Sequence, residues 1–189
     1  MSGELYVALD DSNHAGKTGG EVIAAVFSHN LDMAQLARFP KKKSRSYMKH
    51  YLRGHHANFR FTTLMHDICA TKPYNLPWVA PFLVRNYLDS LEDKAFHIDE
   101  MYIFLDGLVQ PAWVDIMMED FNDFDFDMSI RNFYGKKNKK YPQALILAHM
   151  RATSLFRTVF DKLVNMKEYV PVPLEQLLER EKMFAGHAV

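Results

Sequence analysis

The chain carries a single cysteine, Cys69, so an intramolecular disulfide is excluded. No apolar run approaches the roughly 18 to 20 residues that a membrane helix needs. The first residues, MSGELYVALDD, lack the basic start and long apolar core of a signal peptide. These absences point to the cytoplasm and to no membrane partner. Net charge is missing as well: Lys plus Arg number 23 and Asp plus Glu number 23, so no bulk field draws the molecule onto a polyanion or a lipid surface. Any electrostatic targeting must come from local patches. What the chain does have is apolar content, 48% of its 189 residues, enough for a sizeable core and too much for a disordered segment.

The order of patterns is mixed. Leu5 to Leu9 reads as a strand, and Glu21 to Phe27 (EVIAAVF) as a second one across the glycine-rich turn HAGKTGG, which suggests an antiparallel hairpin. A basic, polar stretch follows, and Asn58 to Met65 supplies a third strand. Pro77 to Asp93 has helical spacing, Met101 to Leu105 (MYIFL) is a fourth strand, and Ala112 to Phe121 is a further helical piece. A strand around Phe126 to Phe133 precedes the clearest helix, Gln143 to Val164. The acidic, phenylalanine-rich EDFNDFDFD at 119–127 reads as an edge strand with one buried face. The expected architecture is α/β, a mixed sheet of about five strands flanked by helices. One domain covers 1–170, and an amphipathic tail, 171–189 (LEQLLEREKMF), packs on the body.

Two aspartates share a context. Asp10 ends ALD and Asp106 ends FLD, each after a short hydrophobic strand and before turn residues. If the two strands are parallel neighbours, both carboxylates emerge at one sheet end, where a hard divalent cation relieves their repulsion. An aspartate after a strand is also a common turn or capping residue. On the last helix Leu145, His149, Ala152, Phe156 and Leu163 fall on one stripe, which turns His149 toward the sheet. An interior histidine is equally at home in a core, satisfied by a backbone carbonyl.

The series ALDDS, IFLDG and LILAHMRATSLFR resembles the ribonuclease H-like superfamily, in particular type 2 ribonuclease H and relatives that begin Asp-Glu-Ser-Gly. The resemblance implies a ribonuclease H-like sheet and two-metal phosphodiester hydrolysis with Mg²⁺ or Mn²⁺. Matched to those relatives, Asp10 falls on the first ligand and bridges two ions, Asp11 stands where a Glu is usual, Asp106 is the mid-chain ligand, and His149 occupies the place of a late-helix Asp. His14, in the polar turn, would orient water or carry a proton to the leaving group. Matched to type 2 ribonuclease H itself, the last acid falls in GKKNKKYP, which has none, so by either alignment a carboxylate is missing.

Positive charge is concentrated in two places. KKKSRSYMKHYLRGHH at 41–56 contributes Lys41, Lys42, Lys43, Arg45, Lys49 and Arg53, and GKKNKK at 135–140 contributes Lys136, Lys137, Lys139 and Lys140. Tyr47, Tyr51 and Phe59 lie among or beside them, so phosphate-binding cations alternate with base-stacking faces. A charge run is also simply a solvated face. AGKTGG is no phosphate-binding loop, because the position five before Gly16 is Asp11 and not glycine. Cys69 and His66 have no triad or zinc spacing. The expected function is a divalent-metal-dependent nuclease acting on RNA, RNA/DNA hybrid or branched DNA. The alternatives are a catalytically inactive nucleic-acid-binding or assembly module and a small-molecule phosphohydrolase, the latter disfavoured by the lysine clusters.

Overall fold

A computed structural model describes residues 2–12, 21–40, 45–55, 60–66, 76–91, 97–107, 109–133 and 140–159. His14, Lys41 to Lys43, Cys69, Lys136, Lys137, Lys139 and the 171–189 tail lie outside them.

The N-terminal hydrophobic run forms β1 (Ser2–Ser12), which returns as β2 (Glu21–Ser28). A 3-10 turn at Leu31–Ala34 leads to the short β3 (Leu36–Arg38) and to α1 (Arg45–His55). Then come β4 (Arg60–His66), α2 (Leu76–Asp89), β5 (His97–Asp106) and α3 (Pro111–Glu119). The chain finishes with β6 (Asp127–Phe133), β7 (Lys140–Pro142) and α4 (Gln143–Val159). The main sheet has five strands in the order β4-β2-β1-β5-β6. Strands β1–β2 and β2–β4 pair antiparallel, whereas β1–β5 and β5–β6 pair parallel, so the sheet is mixed as expected.

Pleating sorts β1 between two cores. Leu5, Val7 and Leu9 pack with α2 and α3, while Tyr6 and Ala8 face α4. Ala144, Ala148 and Ala152 recur every four residues on α4 and are completely buried, and Ala8 and Ala24 on the sheet are equally small. Small side chains on both partners let the helix lie close to the sheet. Leu145, Ile146 and Leu147 are also fully buried, because α1 covers the outer side of α4 through Tyr47, Tyr51 and Leu52. The expected single stripe is therefore a helix buried on several sides in its first two turns.

Two expectations are corrected. The basic stretch at 45–55 is helix α1, held by its Tyr47, Tyr51 and Leu52 face, where the sequence pattern assigns no element. The acidic segment 119–126 is the end of α3 and a turn; only from Asp127 does the edge strand β6 begin. Arg85 on α2 clamps that turn, its guanidinium donating to Asp123 Oδ2 at 3.0 Å and Oδ1 at 2.7 Å while lying 4.9 Å from the Phe124 ring centre. One of the acidic charges there, that of Asp123, is held in an ion pair. Among the described residues, no helix is long and apolar enough to cross a membrane.

Candidate active site

Strand β1 pairs with β5 up to Leu9 opposite Leu105, so Asp10 and Asp106 are the next residues on two parallel neighbours. Both continue the even-numbered face, the one that carries Ala8 and Phe104 and packs on α4. Their carboxyl groups come within hydrogen-bonding reach of each other. Asp10 is nearly sealed, its side chain 3% exposed. Burial first, and the charge of Asp10 second, push the Asp106 carboxyl up to about 6 from an ordinary 3.8.

The close approach of α4 completes the cluster. His149 Nδ1 lies 2.7 Å from Asp10 Oδ2, and its ring is 25% exposed. A carboxylate oxygen accepts, so Nδ1 is the donor. Asp10 Oδ1 accepts a second bond, from the Asp11 backbone N–H at 2.8 Å. Asp106, Asp10 and His149 thus form a row, with both oxygens of the middle carboxylate engaged.

Asp11, also expected as a ligand, continues the other face of β1. Its register partner is Ile23, which belongs to the core on the α2 side, so the pleat turns Asp11 away from α4 and from its neighbour Asp10. Adjacent residues on a strand cannot share a face, a rule that outweighs their adjacency in sequence.

The site is walled by aromatic rings that the sequence does not reveal. Phe39, just after β3, meets His149 edge-on with centres 5.0 Å apart and Tyr141 edge-on at 4.7 Å. Tyr141, in β7, lies 6.1 Å from Phe133 at the end of β6. Burial, then the charges of Asp106 and Asp10, raise the Tyr141 phenol above its ordinary value, which places its hydroxyl in the field of the carboxylates. Strands β3 and β7 pair antiparallel as a separate two-stranded ribbon, with Arg38 opposite Lys140 and both exposed or nearly so. Like charges directly opposite on a ribbon repel unless an anion lies across them. Arg38 gives no signal in the sequence because a three-residue strand has no periodicity to read, and its partner is about a hundred residues away.

Asp106 is followed by a turn that only glycine makes cheaply. Gly107 has φ of +100°, and its N–H donates to Phe133 O at 3.0 Å and to the Asp106 carboxyl. An added Cβ meets nothing within 4 Å, so the cost of Gly107→Ala is conformational. A loss of about 1–3 kcal/mol is expected. Chemical denaturation should show a lower midpoint at an unchanged slope; an unchanged midpoint would mean the turn re-forms without strain.

The donor chemistry suits a hard cation in one respect and fails in another. Two carboxylates crowded on one face are oxygen ligands whose repulsion a divalent ion cancels. Yet among the described residues no three His, Cys, Asp or Glu side chains are grouped as ligands to one ion, and His149 is bonded to Asp10. Asp10 and Asp106 offer oxygen donors on one face, and among the described residues no third ligating side chain is grouped with them.

No protein-family model matches the chain, and no curated protein does. Solved structures do. The chain is similar to one in the structure of the PCNA:RNase HII complex from Archaeoglobus fulgidus, at 14% identity and a TM-score of 0.50, with 98% of this chain and 91% of that chain covered. Two others are ribonuclease H2 from Pyrococcus horikoshii OT3 (10% identity, TM-score 0.48, 97% and 86% covered) and Bst-RNase HIII in complex with Mn²⁺ (12%, 0.43, 82% and 53%). With a mixed five-stranded sheet, carboxylates ending its two central parallel strands and a late helix laid across them, this protein has the ribonuclease H-like fold in the form seen in type 2 ribonuclease H.

Proposed function

We propose that the protein is a divalent-metal-dependent nuclease that hydrolyses phosphodiester bonds in RNA, RNA/DNA hybrid or branched DNA. The observation that carries this reading is the contact between Asp10 and Asp106 at one sheet end, beside His149, on a ribonuclease H-like sheet. The buried Asp10 and the half-buried Asp106, carboxyls close enough for one to raise the other, gain nothing for stability by themselves. Asp10 and Asp106 would hold the ion. Bound there, a divalent cation supplies the charge that lowers the pKa of an attacking water and offsets charge developing on the phosphate. His149 is a positioning residue, fixing Asp10 Oδ2 through its N–H, and Phe39 and Tyr141 limit water access to the row.

The ribbon supports a polymeric anion as substrate. Lys41, Lys42 and Lys43 follow Arg38 in the chain after Phe39 and Pro40, and Lys136, Lys137 and Lys139 precede its register partner Lys140. Clusters remote in sequence are therefore tethered to the same end of one ribbon, whose Phe39 and Tyr141 border the site. Arg53, exposed on α1, adds to the charge, and Arg45 and Lys49 share its helical spacing of four. Replacing Lys41, Lys42 and Lys43 with alanine should weaken binding of a labelled RNA/DNA hybrid. The slope of log affinity against log salt should fall by about 0.7–0.9 for each phosphate no longer neutralised. An unchanged slope would identify the cluster as solvated surface.

A second reading has its own support. The residues that follow β1, β5 and β6 in the chain, 13–20, 107–110 and 134–139, contain no Asp or Glu, and among the described residues no three ligating side chains are grouped. A binding or assembly module without catalysis would keep the ribbon and dispense with the ion. Incubation of the purified chain with hybrid, RNA and branched DNA, in Mn²⁺, Mg²⁺ or EDTA, separates the two. Cleavage that needs the cation supports the nuclease; salt-sensitive binding without cleavage in either metal supports the module.

A further inference from the structure

We propose that β6 is a dimerisation edge: it pairs antiparallel with β6 of a second copy of this chain, about a two-fold axis at Ser129. This is independent of the nuclease reading.

Strand β6 closes one side of the main sheet, and among the described residues it is bonded to β5 alone. Phe133 turns its backbone toward β5, where its C=O accepts from the Gly107 N–H at 3.0 Å. Alternation along the strand then directs the backbone groups of Asp127, Ser129 and Arg131 the same way, and those of Met128, Ile130 and Asn132 to the open edge.

That edge complements its own reversal. Outward from Ser129 come Met128 and Ile130, both apolar, and then Asp127 and Arg131, of opposite charge. In an antiparallel pair centred on Ser129, Asp127 lies opposite Arg131 of the second copy, and Arg131 opposite Asp127 of the second copy. Met128 and Ile130 meet Ile130 and Met128, exchanging the backbone bonds that the edge offers. Asp127 and Arg131 are exposed, and among the described residues neither has an ion-pair partner. Charge on an edge strand ordinarily repels a second edge. Opposite signs set symmetrically about Ser129 attract one instead, and any slip along the edge separates both charge pairs.

Ser129 supplies an independent observation. Its hydroxyl is buried and has no hydrogen-bond partner among the described residues, a costly state for a polar group. At the two-fold axis the Ser129 hydroxyls of the two copies stand opposite each other in a non-hydrogen-bonded pair, where side chains come closest, so one donates and the other accepts. Residues opposite on a ladder share a face. The rows of Asp106, Asp10 and His149 in both copies therefore open on the same side of one continuous sheet.

The test is the association state of the full-length chain, followed by sedimentation velocity over a range of concentrations in wild type, Asp127→Arg, Arg131→Asp and the Asp127→Arg/Arg131→Asp double variant. Wild type should dimerise. Each single change sets like charges opposite each other on both sides of the axis and should weaken association about tenfold or more. The double variant exchanges the signs and should recover it. An equimolar mixture of the two single variants should associate more tightly than either alone, because every charge then faces its opposite. A wild type that stays monomeric overturns the proposal. Single variants that associate as tightly as wild type, or a mixture no tighter than its components, overturn it as well and place any dimer on another surface. Hydrogen exchange on wild type is a second readout that needs no variant: the Met128 and Ile130 amides should slow as concentration rises, and exchange there that ignores concentration in a chain that dimerises rules out this edge.

Discussion

Asp10→Asn should lower cation-supported cleavage by on the order of 10³-fold or more, equivalent to about 4 kcal/mol of lost transition-state stabilisation, without unfolding the protein. Asparagine keeps the shape of the side chain and an oxygen that still accepts from His149, but it cannot carry the charge that holds an ion. Stability should shift in the opposite direction from activity. In wild type the Asp106 carboxyl is held up at about 6, chiefly by burial and next by Asp10, whereas the unfolded chain releases that proton near 3.8. The folded state therefore binds the extra proton, and the stability contributed by this group falls as pH rises through the window from 3.8 to about 6, staying low above it. Removing the Asp10 charge removes the second of the two causes. Melting temperatures measured without metal should accordingly decline less across that window in Asp10→Asn than in wild type. Full cleavage by the pure variant would show that Asp10 does not carry the chemistry; an identical pH profile would show that the two carboxyls do not interact.

His149 separates positioning from packing. His149→Ala leaves Asp10 Oδ2 without its donor and should cost about 10- to 100-fold in cleavage, the usual effect of deleting a group that orients a metal ligand. His149→Asn offers an amide N–H near the place of Nδ1 and should recover most of that loss. His149→Asp, with its added carboxylate, should retain or gain Mg²⁺-supported cleavage. If the histidine only filled the core, alanine and asparagine would differ in melting temperature and not in activity, and a buried aspartate would destabilise the fold. Rates for the three variants at saturating metal, set against their melts, decide which holds. Equal rates for alanine and asparagine would remove the positioning role.

The parts of this site legible in sequence are those carried by regular elements. Asp10 and Asp106 stand out because each closes a hydrophobic strand, and the inference that they meet requires only that those strands be parallel neighbours, which the β1–β5 register bears out. His149 is marked by helical spacing, although the run LILA hides that α4 is buried under α1 as well as on the sheet. The elements that escape such a reading are short or polar. Helix α1 begins in a basic run whose charge masks the Tyr47, Tyr51 and Leu52 face, and β3 and β7 have three residues each, fewer than a pattern needs. Tyr141 and Phe39 reach the site, and Arg38 comes opposite Lys140, only through that long-range ribbon pairing, which no local signal encodes. Asp11 enters the expected ligand set only through the resemblance, in the place of a Glu, and no pattern in the sequence states that the pleat sets it on the face of Ile23.

A crystal soaked in MnCl₂ and measured at the manganese absorption edge tests the central claim most directly, because it needs no choice of substrate. The expected result is anomalous density between the carboxylates of Asp10 and Asp106, with His149 still bonded to Asp10 Oδ2. Density absent from that position, in protein that binds Mn²⁺ elsewhere or not at all, would contradict a metal-dependent site at this end of the sheet.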